Sequence, residues 1–265
     1  MTKIEWTDET WNPVTGCTKI SPGCANCYAE RMAKRLAENR TVFASFKYAD
    51  FQVATWEDRL SQPLRWTKPR RVFVCSMGDL FHDNVPEEFI EKVWWTMARA
   101  QRHTFQVLTK RAERMQNHLS RQWEDAAYNV WLGVTAEDQK RANERIPLLL
   151  QTPAAVRFVS VEPMLGPVNL NEHLGFCLDC DAYITEHRRH GDLYHDDVSR
   201  LDWVIIGCES GPNRRPMKLE WAVDLVRQCK NAGVAVFVKQ LDIGGKVSKN
   251  PDEWPAELRA REYPR

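Results

Sequence analysis

The chain has 265 residues, 43% of them apolar, and 37 basic against 36 acidic side chains give a net charge of +1. That apolar content is enough for a sizeable core in one large domain or two ordinary ones. The near-neutral balance excludes a strong overall field that would draw the protein to nucleic acid or to a membrane surface. No run of 18 apolar residues occurs, so no membrane span is expected. The opening "MTKIEWTDETWNP" has no signal-peptide core, and a cytoplasmic protein is expected. In that compartment its eight cysteines read as reduced thiols or metal ligands, not as a disulfide framework.

In chain order, a short strand is predicted near "WNPVTG", before Cys17, and a helix after Cys27. Six nearly continuous apolar runs then follow: Arg71–Ser76, Thr104–Lys110, Val130–Thr135, Val156–Glu162, Trp203–Glu209 and Val234–Gln240. Runs rich in Val, Ile and Phe without alternation are typical of strands buried on both faces of a parallel sheet. Helical patterns lie between them. "PEEFIEKVWWTMARAQRH" opens on Pro86 and two acids and spaces Phe89, Ile90, Val93, Trp94 and Met97 along one face. "AERMQNHLSRQW" comes next. "EDQKRANERIPLLLQ" is expected to end or kink at Pro147, and "LEWAVDLVRQCKNAG" to stop at Gly233. Strands alternating with helices predict an α/β protein with a parallel sheet.

Two architectures fit that alternation, an open doubly wound sheet and a partial or full (β/α) barrel of the TIM type. Nearly every strand ends in polar residues: "SMGD", "TKR", "TAED", "SVEP", "CESG" and "KQ". A barrel places its active site on those loops, whereas an open sheet binds mainly at its switch point. The barrel is therefore favoured, as a single domain over residues 1–265 with an insertion at 173–200. A second irregular stretch, Thr41–Arg70, is aromatic and basic. Gly244-Gly245-Lys246 reads as a turn, since it lacks the full phosphate-loop pattern.

The most informative stretch is "GCTKISPGCANCYAERM". Cys17, Cys24 and Cys27 are spaced C-x6-C-x2-C in a loop made turn-like by Gly16, Pro22 and Gly23. A closed structural zinc site needs four protein ligands. Three thiolates suit a [4Fe–4S] cluster with one iron left open for another ligand. A zinc site completed by a distant Cys or His, or three unligated cysteines, are the alternatives at this point.

Three cysteines after the first strand of a (β/α) barrel resemble the radical S-adenosylmethionine enzymes. Their commonest spacing is C-x3-C-x2-C with an aromatic residue before the last cysteine. Here the first gap is six, Asn26 precedes Cys27 and Tyr28 follows it. "CANCYAERM" is similar to the cysteine loop of spore photoproduct lyase. Most of the chain, through "WNPVTGCTKISPGCANCYAE", "CSMGDLFHDNVP", "HTFQVLTKRAERM", "VWLGVTAED", "RFVSVEPMLGPV" and "WVIIGCESGPNRRPM", resembles a phage and prophage family with a three-cysteine motif, regarded as radical-SAM-like.

The resemblance implies a protein encoded by a phage or prophage and acting in the bacterial host. It implies S-adenosylmethionine chelated at the open iron, an electron donor for the cluster, and a deoxyadenosyl radical that takes hydrogen from a substrate. A nucleic-acid base or nucleotide suits the phage setting. It also places Ser76 and Asp79 where such enzymes contact the methionine amino group, with Asp79 expected as an exposed strand-end carboxylate. Thr135 and Glu137 suit ribose hydroxyls, and Lys110 a carboxylate or phosphate. Glu162, Glu209 and Lys239 complete the expected cofactor-binding set. His82 follows the "SMGD" turn as an acid–base or structural residue.

In the insertion, "CLDCDAYITEHRRH" supplies Cys177, Cys180, His187 and His190, a four-ligand set for a structural zinc. A competing function is a non-catalytic, metal-binding nucleic-acid module, in which Trp56, Arg65, Trp66, Lys68, Arg70 and Arg71 track a backbone and stack on bases. A zinc hydrolase is a third, but it prefers His and carboxylate ligands to three cysteines.

Overall fold

The computed structural model describes residues 4–38, 50–122, 128–177, 182–183 and 199–264. The chain folds as two compact units, one of Met1–Gly133 with Pro153–Ala155 and one of Val134–Thr152 with Val156–Arg265.

The first unit opens with β1 (Glu9–Trp11), β2 (Val14–Thr15) and α1 (Tyr28–Glu38), followed by β3 (Ala54–Thr55) and β4 (Arg71–Val74). It continues through α2 (Glu87–Arg99), β5 (Thr104–Thr109) and α3 (Ala112–Gln122). β4 pairs in parallel with β1 on one side and with β5 on the other. α2 begins directly after Pro86, and Phe89, Ile90, Val93, Trp94 and Met97 are all buried, as the 3.6-residue spacing predicts. Trp11 and Trp94 serve as core.

The irregular stretch before β4 folds back on the first strand. β3 pairs antiparallel with β2. The Trp56 indole donates to Thr15 Oγ1 at 2.8 Å, the Trp11 indole donates to the Arg59 carbonyl at 2.8 Å, and the Arg59 guanidinium lies 4.2 Å over the Trp56 ring. Trp66 meets the His103 ring at 5.7 Å and Arg70 pairs with Glu9 at 2.9 Å, so Trp56, Arg59, Trp66 and Arg70 are engaged by the protein itself. Its first residues, 41–49, lie outside the described residues.

β6 (Val130–Thr135) carries the chain into the second unit, which contains α4 (Gln139–Leu150) and β7 (Val156–Val161). There follow β8 (Phe176–Cys177), β9 (Ala182–Tyr183), β10 (Trp203–Gly207), α5 (Leu219–Asn231), β11 (Ala235–Ile243) and β12 (Lys246–Ser248). β10 lies between β7 and β11, parallel to both. β12 returns antiparallel across Gly244-Gly245, whose φ values of 55° and 78° suit a two-residue hairpin turn. The core centres on Trp203, with ring centroids 5.6 Å from Phe158, 6.2 Å from Phe237 and 5.4 Å from Tyr263.

The α/β class and its mostly parallel strands are as expected. One helix differs. Asp138 caps α4 by accepting from the Arg141 amide at 2.8 Å, and the helix runs past Pro147 to Leu150. A proline interrupts one amide bond, but only three residues follow it. Buried Ile146 and Leu149 hold the last turn, and the Gln151 amide closes it on the Pro147 carbonyl at 3.3 Å.

The insertion opens with the β8–β9 hairpin, in which Cys177 opposes Ala182. Cys180, His187 and His190 lie outside the described residues, as does the Cys177 side chain. Among the described residues, no helix is long and apolar enough to cross a membrane.

Candidate functional site

The carboxyl ends of β1, β4 and β5 are neighbours, and the cysteine loop begins directly after β2, the short strand that follows β1. Gly16 starts the loop with φ of +83°, and a Cβ there would sit 1.9 Å from the Gln52 carbonyl oxygen. Only glycine combines that left-handed backbone with that close approach. The Gly16 amide donates to the Met77 carbonyl at 2.8 Å, and the Cys17 amide to the Phe51 carbonyl at 3.2 Å. The loop is thus pinned to the turn after β4 and to the segment before β3. A one-turn 3-10 helix, Pro22–Cys24, presents Cys24, and Cys27 directly precedes α1.

All three thiols are free and half-buried. Burial pushes the Cys17 thiol up, the Asp79 carboxylate adds to this, and the Arg111 guanidinium opposes it. Burial also works to raise Cys24. There the charge of Lys110 and hydrogen bonds from Ile20 and Ser21 outweigh it, and the thiol is held below its ordinary value. Each of these two cysteines therefore has a cation from the "TKR" end of β5 as a neighbour.

Asp79 is the hub of the site. It is only 5% exposed. Its Oδ1 accepts from the Phe81 amide at 3.0 Å and the Thr109 hydroxyl at 2.8 Å. Its Oδ2 accepts from the Lys110 amide at 3.3 Å and Arg111 Nη1 at 3.2 Å. A carboxylate offers about four acceptor sites, so this one is fully committed. Asp79, expected as an exposed strand-end carboxylate, is instead buried. Ser76 donates to Asn12 Oδ1 at 3.2 Å, and the same oxygen accepts from the Met77 amide at 2.9 Å. His82 Nδ1 accepts from the Asn84 amide at 3.1 Å, which leaves the proton of a neutral ring on Nε2, 2.9 Å from Thr18 Oγ1. Burial, followed by the charge of Arg111, holds the His82 pKa down, which favours that neutral form.

The second unit gathers ion pairs at its own strand ends. Buried Glu137 accepts from Arg145 at 3.0 Å, and Arg145 also donates to the Thr135 carbonyl at 2.7 Å. Glu209 receives the amide, Nε and Nη2 of Arg215 at 2.5–3.0 Å. Glu162 meets Lys239 at 2.5 Å, reaching across β10 at Gly207. A Cβ on Gly207 would stand 3.1 Å from the Glu162 carboxyl carbon. Gly207→Ala is therefore expected to push the pair apart and cost about 1–3 kcal/mol, as overpacking does. Urea denaturation measures it, and an unchanged midpoint would mean that the bridge does not need the bare backbone. Cys208 beside it is buried, and burial together with the Glu162 charge leaves its thiol pushed up to about 12.

The structure thus brings together Cys17, Cys24, Lys110 and Asp79 in the first unit, and Glu162 with Lys239 in the second. Arg111, Thr18, Arg145 and Arg215 were not singled out by the sequence. Among the described residues, no three Cys, His, Asp or Glu side chains are gathered as a metal-ion cage. The chemistry of the donor set still fits a cluster held by thiolates, with three free thiols on one pinned loop and two adjacent cations.

These features define an α/β protein with a cysteine-loop site at the carboxyl ends of its first parallel strands. The chain belongs to the family described as "Protein of unknown function (DUF5131)", matched over residues 1–260. No curated protein matches it. Among solved structures it is similar to a cysteine-to-serine variant of spore photoproduct lyase, at 10% identity and a TM-score of 0.44, over 75% of this chain and 55% of that one. It is also similar to spore photoproduct lyase complexed with dinucleoside spore photoproduct, at 10% identity and a TM-score of 0.40, over 73% and 54%. The chain spans about half the length of these structures.

Proposed function

We propose that the chain is a radical S-adenosylmethionine-type enzyme built on a (β/α) barrel, with Cys17, Cys24 and Cys27 holding a [4Fe–4S] cluster. The observation that supports it best is the pinned loop of three free, half-buried thiols flanked by Lys110 and Arg111. A thiolate-ligated cluster is anionic, and those two cations offset its charge where burial would otherwise penalise it. When bound, the cluster supplies one electron to the sulfonium of S-adenosylmethionine.

The chain's own residues hold the geometry. Asp79 fixes the β5 end against the β4 turn, and Asn12 fixes that turn against β1. The close approach of Gly78 to the Thr15 Cα and the Gly16 carbonyl, with a Cβ there meeting atoms at 3.0–3.1 Å, keeps the loop seated. In the second unit Glu162 and Lys239 are partly exposed charges suited to a polar ligand, while Glu137 and Glu209 are each closed by an arginine and act as positioning groups.

The test is anaerobic reconstitution with iron and sulfide, then incubation with S-adenosylmethionine and dithionite as electron donor. We expect about four irons per chain and dithionite-dependent release of 5′-deoxyadenosine and methionine. Nucleotides and single-stranded DNA are the first substrates to add. A protein that takes zinc in preference to iron, or a loaded cluster that never cleaves S-adenosylmethionine, would sink the reading. The second outcome would favour a non-catalytic metal module.

A further inference from the structure

Arg111 is 8% exposed, and its guanidinium is held on several sides. Nη1 lies 3.4 Å from Cys17 Sγ and 3.2 Å from Asp79 Oδ2. Nη2 donates to Thr18 Oγ1 at 2.9 Å and to the Thr18 carbonyl at 3.4 Å. Nε faces Asp83 at 3.9 Å. The Arg111 amide donates to Thr109 Oγ1 at 2.9 Å, and that hydroxyl donates to Asp79 Oδ1 at 2.8 Å. Backbone and side chain are therefore locked to the same carboxylate. Thr18 is gripped from its other side by His82 Nε2 at 2.9 Å. The planar fork has little freedom to turn away from the Cys17 sulfur.

We propose that Arg111, locked by Asp79, is a positioning residue that donates to the sulfur of Cys17 and so raises the reduction potential of the cluster. The inference rests on the cysteine-loop reading above and deepens it. Reduction adds an electron to an already anionic centre. A cationic donor aimed at one of its sulfurs stabilises the reduced form, because hydrogen bonds to sulfur and local charge are among the levers that set such potentials. The three cysteines are then inequivalent. The Cys24 sulfur has the Ser21 hydroxyl at 3.7 Å and the charge of Lys110, whereas Cys17 has a guanidinium at 3.4 Å. A purely structural role, an Asp79–Arg111 bolt between β4 and β5, predicts no change in potential.

Two variants separate these roles. Asp79→Asn with Arg111→Met removes both charges together and leaves no unpaired buried ion. Arg111→Lys keeps the charge and loses the fork. Each is reconstituted anaerobically beside the natural chain, its iron counted, its reduced cluster examined by electron paramagnetic resonance, and its midpoint potential titrated. The double variant is expected to load iron normally. Loss of the Asp79 charge offsets loss of the Arg111 charge, so what remains is the missing donor to sulfur, and the reduction equilibrium should shift about threefold toward the oxidised form, about 28 mV more negative for one electron. Arg111→Lys should shift the same way by less, with an altered resonance spectrum. Equal midpoints and spectra in all three fully loaded chains would overturn the proposal. So would loss of iron from both variants while they stay folded, because Arg111 would then serve assembly. A natural chain that takes up no cluster would instead bring down the cysteine-loop reading itself.

Discussion

Asp79→Ala is expected to destabilise the fold by about 3–5 kcal/mol, the usual cost of removing one partner from a buried ion pair. The cost comes from what is left behind. Arg111 keeps its Thr18 contacts but loses the carboxylate 3.2 Å from its Nη1, and among the described residues it keeps only Asp83, 3.9 Å from Nε. The Thr109 hydroxyl and the Phe81 and Lys110 amides lose their acceptors, and each unsatisfied buried donor costs about 1–3 kcal/mol unless water reaches it.

Asp79→Asn should fall between the natural chain and Asp79→Ala. Its oxygen can still accept from Phe81 and Thr109, but its amide group then faces the Lys110 N–H and the Arg111 guanidinium, donor against donor. Urea denaturation of the metal-free chain reads both, so no assumption about a cofactor enters. A loss below about 1 kcal/mol in Asp79→Ala, within the range of an exposed pair, would show that Asp79 is solvated and free to bind a ligand, as a strand-end acid in a barrel mouth would be.

That reversal shows where sequence pattern stops being informative. The strands were legible because Val, Ile and Phe run without alternation, and parallel pairing places every such run between two neighbours. The helices were legible from their spacing, and α2 from Pro86 and its acids. The cysteine loop was legible because three thiols in a Gly/Pro-rich turn have few uses. Burial of charge was not. "SMGDLFHD" is polar and reads as exposed, yet Asp79 is enclosed because Thr109 and Arg111, about thirty residues on, arrive over it. Arg111 sits at the start of a charged helix, where an arginine is ordinarily solvated. Its partners lie 32 residues away at Asp79 and 94 at Cys17. Gly207 escaped notice for the same reason, since its use is defined only by the Glu162 side chain that crosses it from the neighbouring strand. In each case the missing information was a tertiary contact, which local propensity does not encode.

The largest functional effect is expected in the cysteine loop. Cys17→Ala, Cys24→Ala and Cys27→Ala should each lose most of the iron after anaerobic reconstitution, since a cluster held by only three protein thiolates has none to spare. Their effect on stability should stay within about 1 kcal/mol, because each thiol is only half-buried and its removal opens little cavity. The chain carries its own controls. Cys75, Cys208 and Cys229 are buried and free, and burial holds all three thiols well above their ordinary value. These three are enclosed in the core and lie outside the loop, so changing them to alanine should cost stability while leaving the iron content unchanged. Iron analysis and a denaturation curve on all six variants therefore give opposite patterns for the two groups. If the three loop variants keep full iron, the cluster is not held by Cys17, Cys24 and Cys27. If iron falls equally in loop and core variants, the losses track unfolding and not ligation.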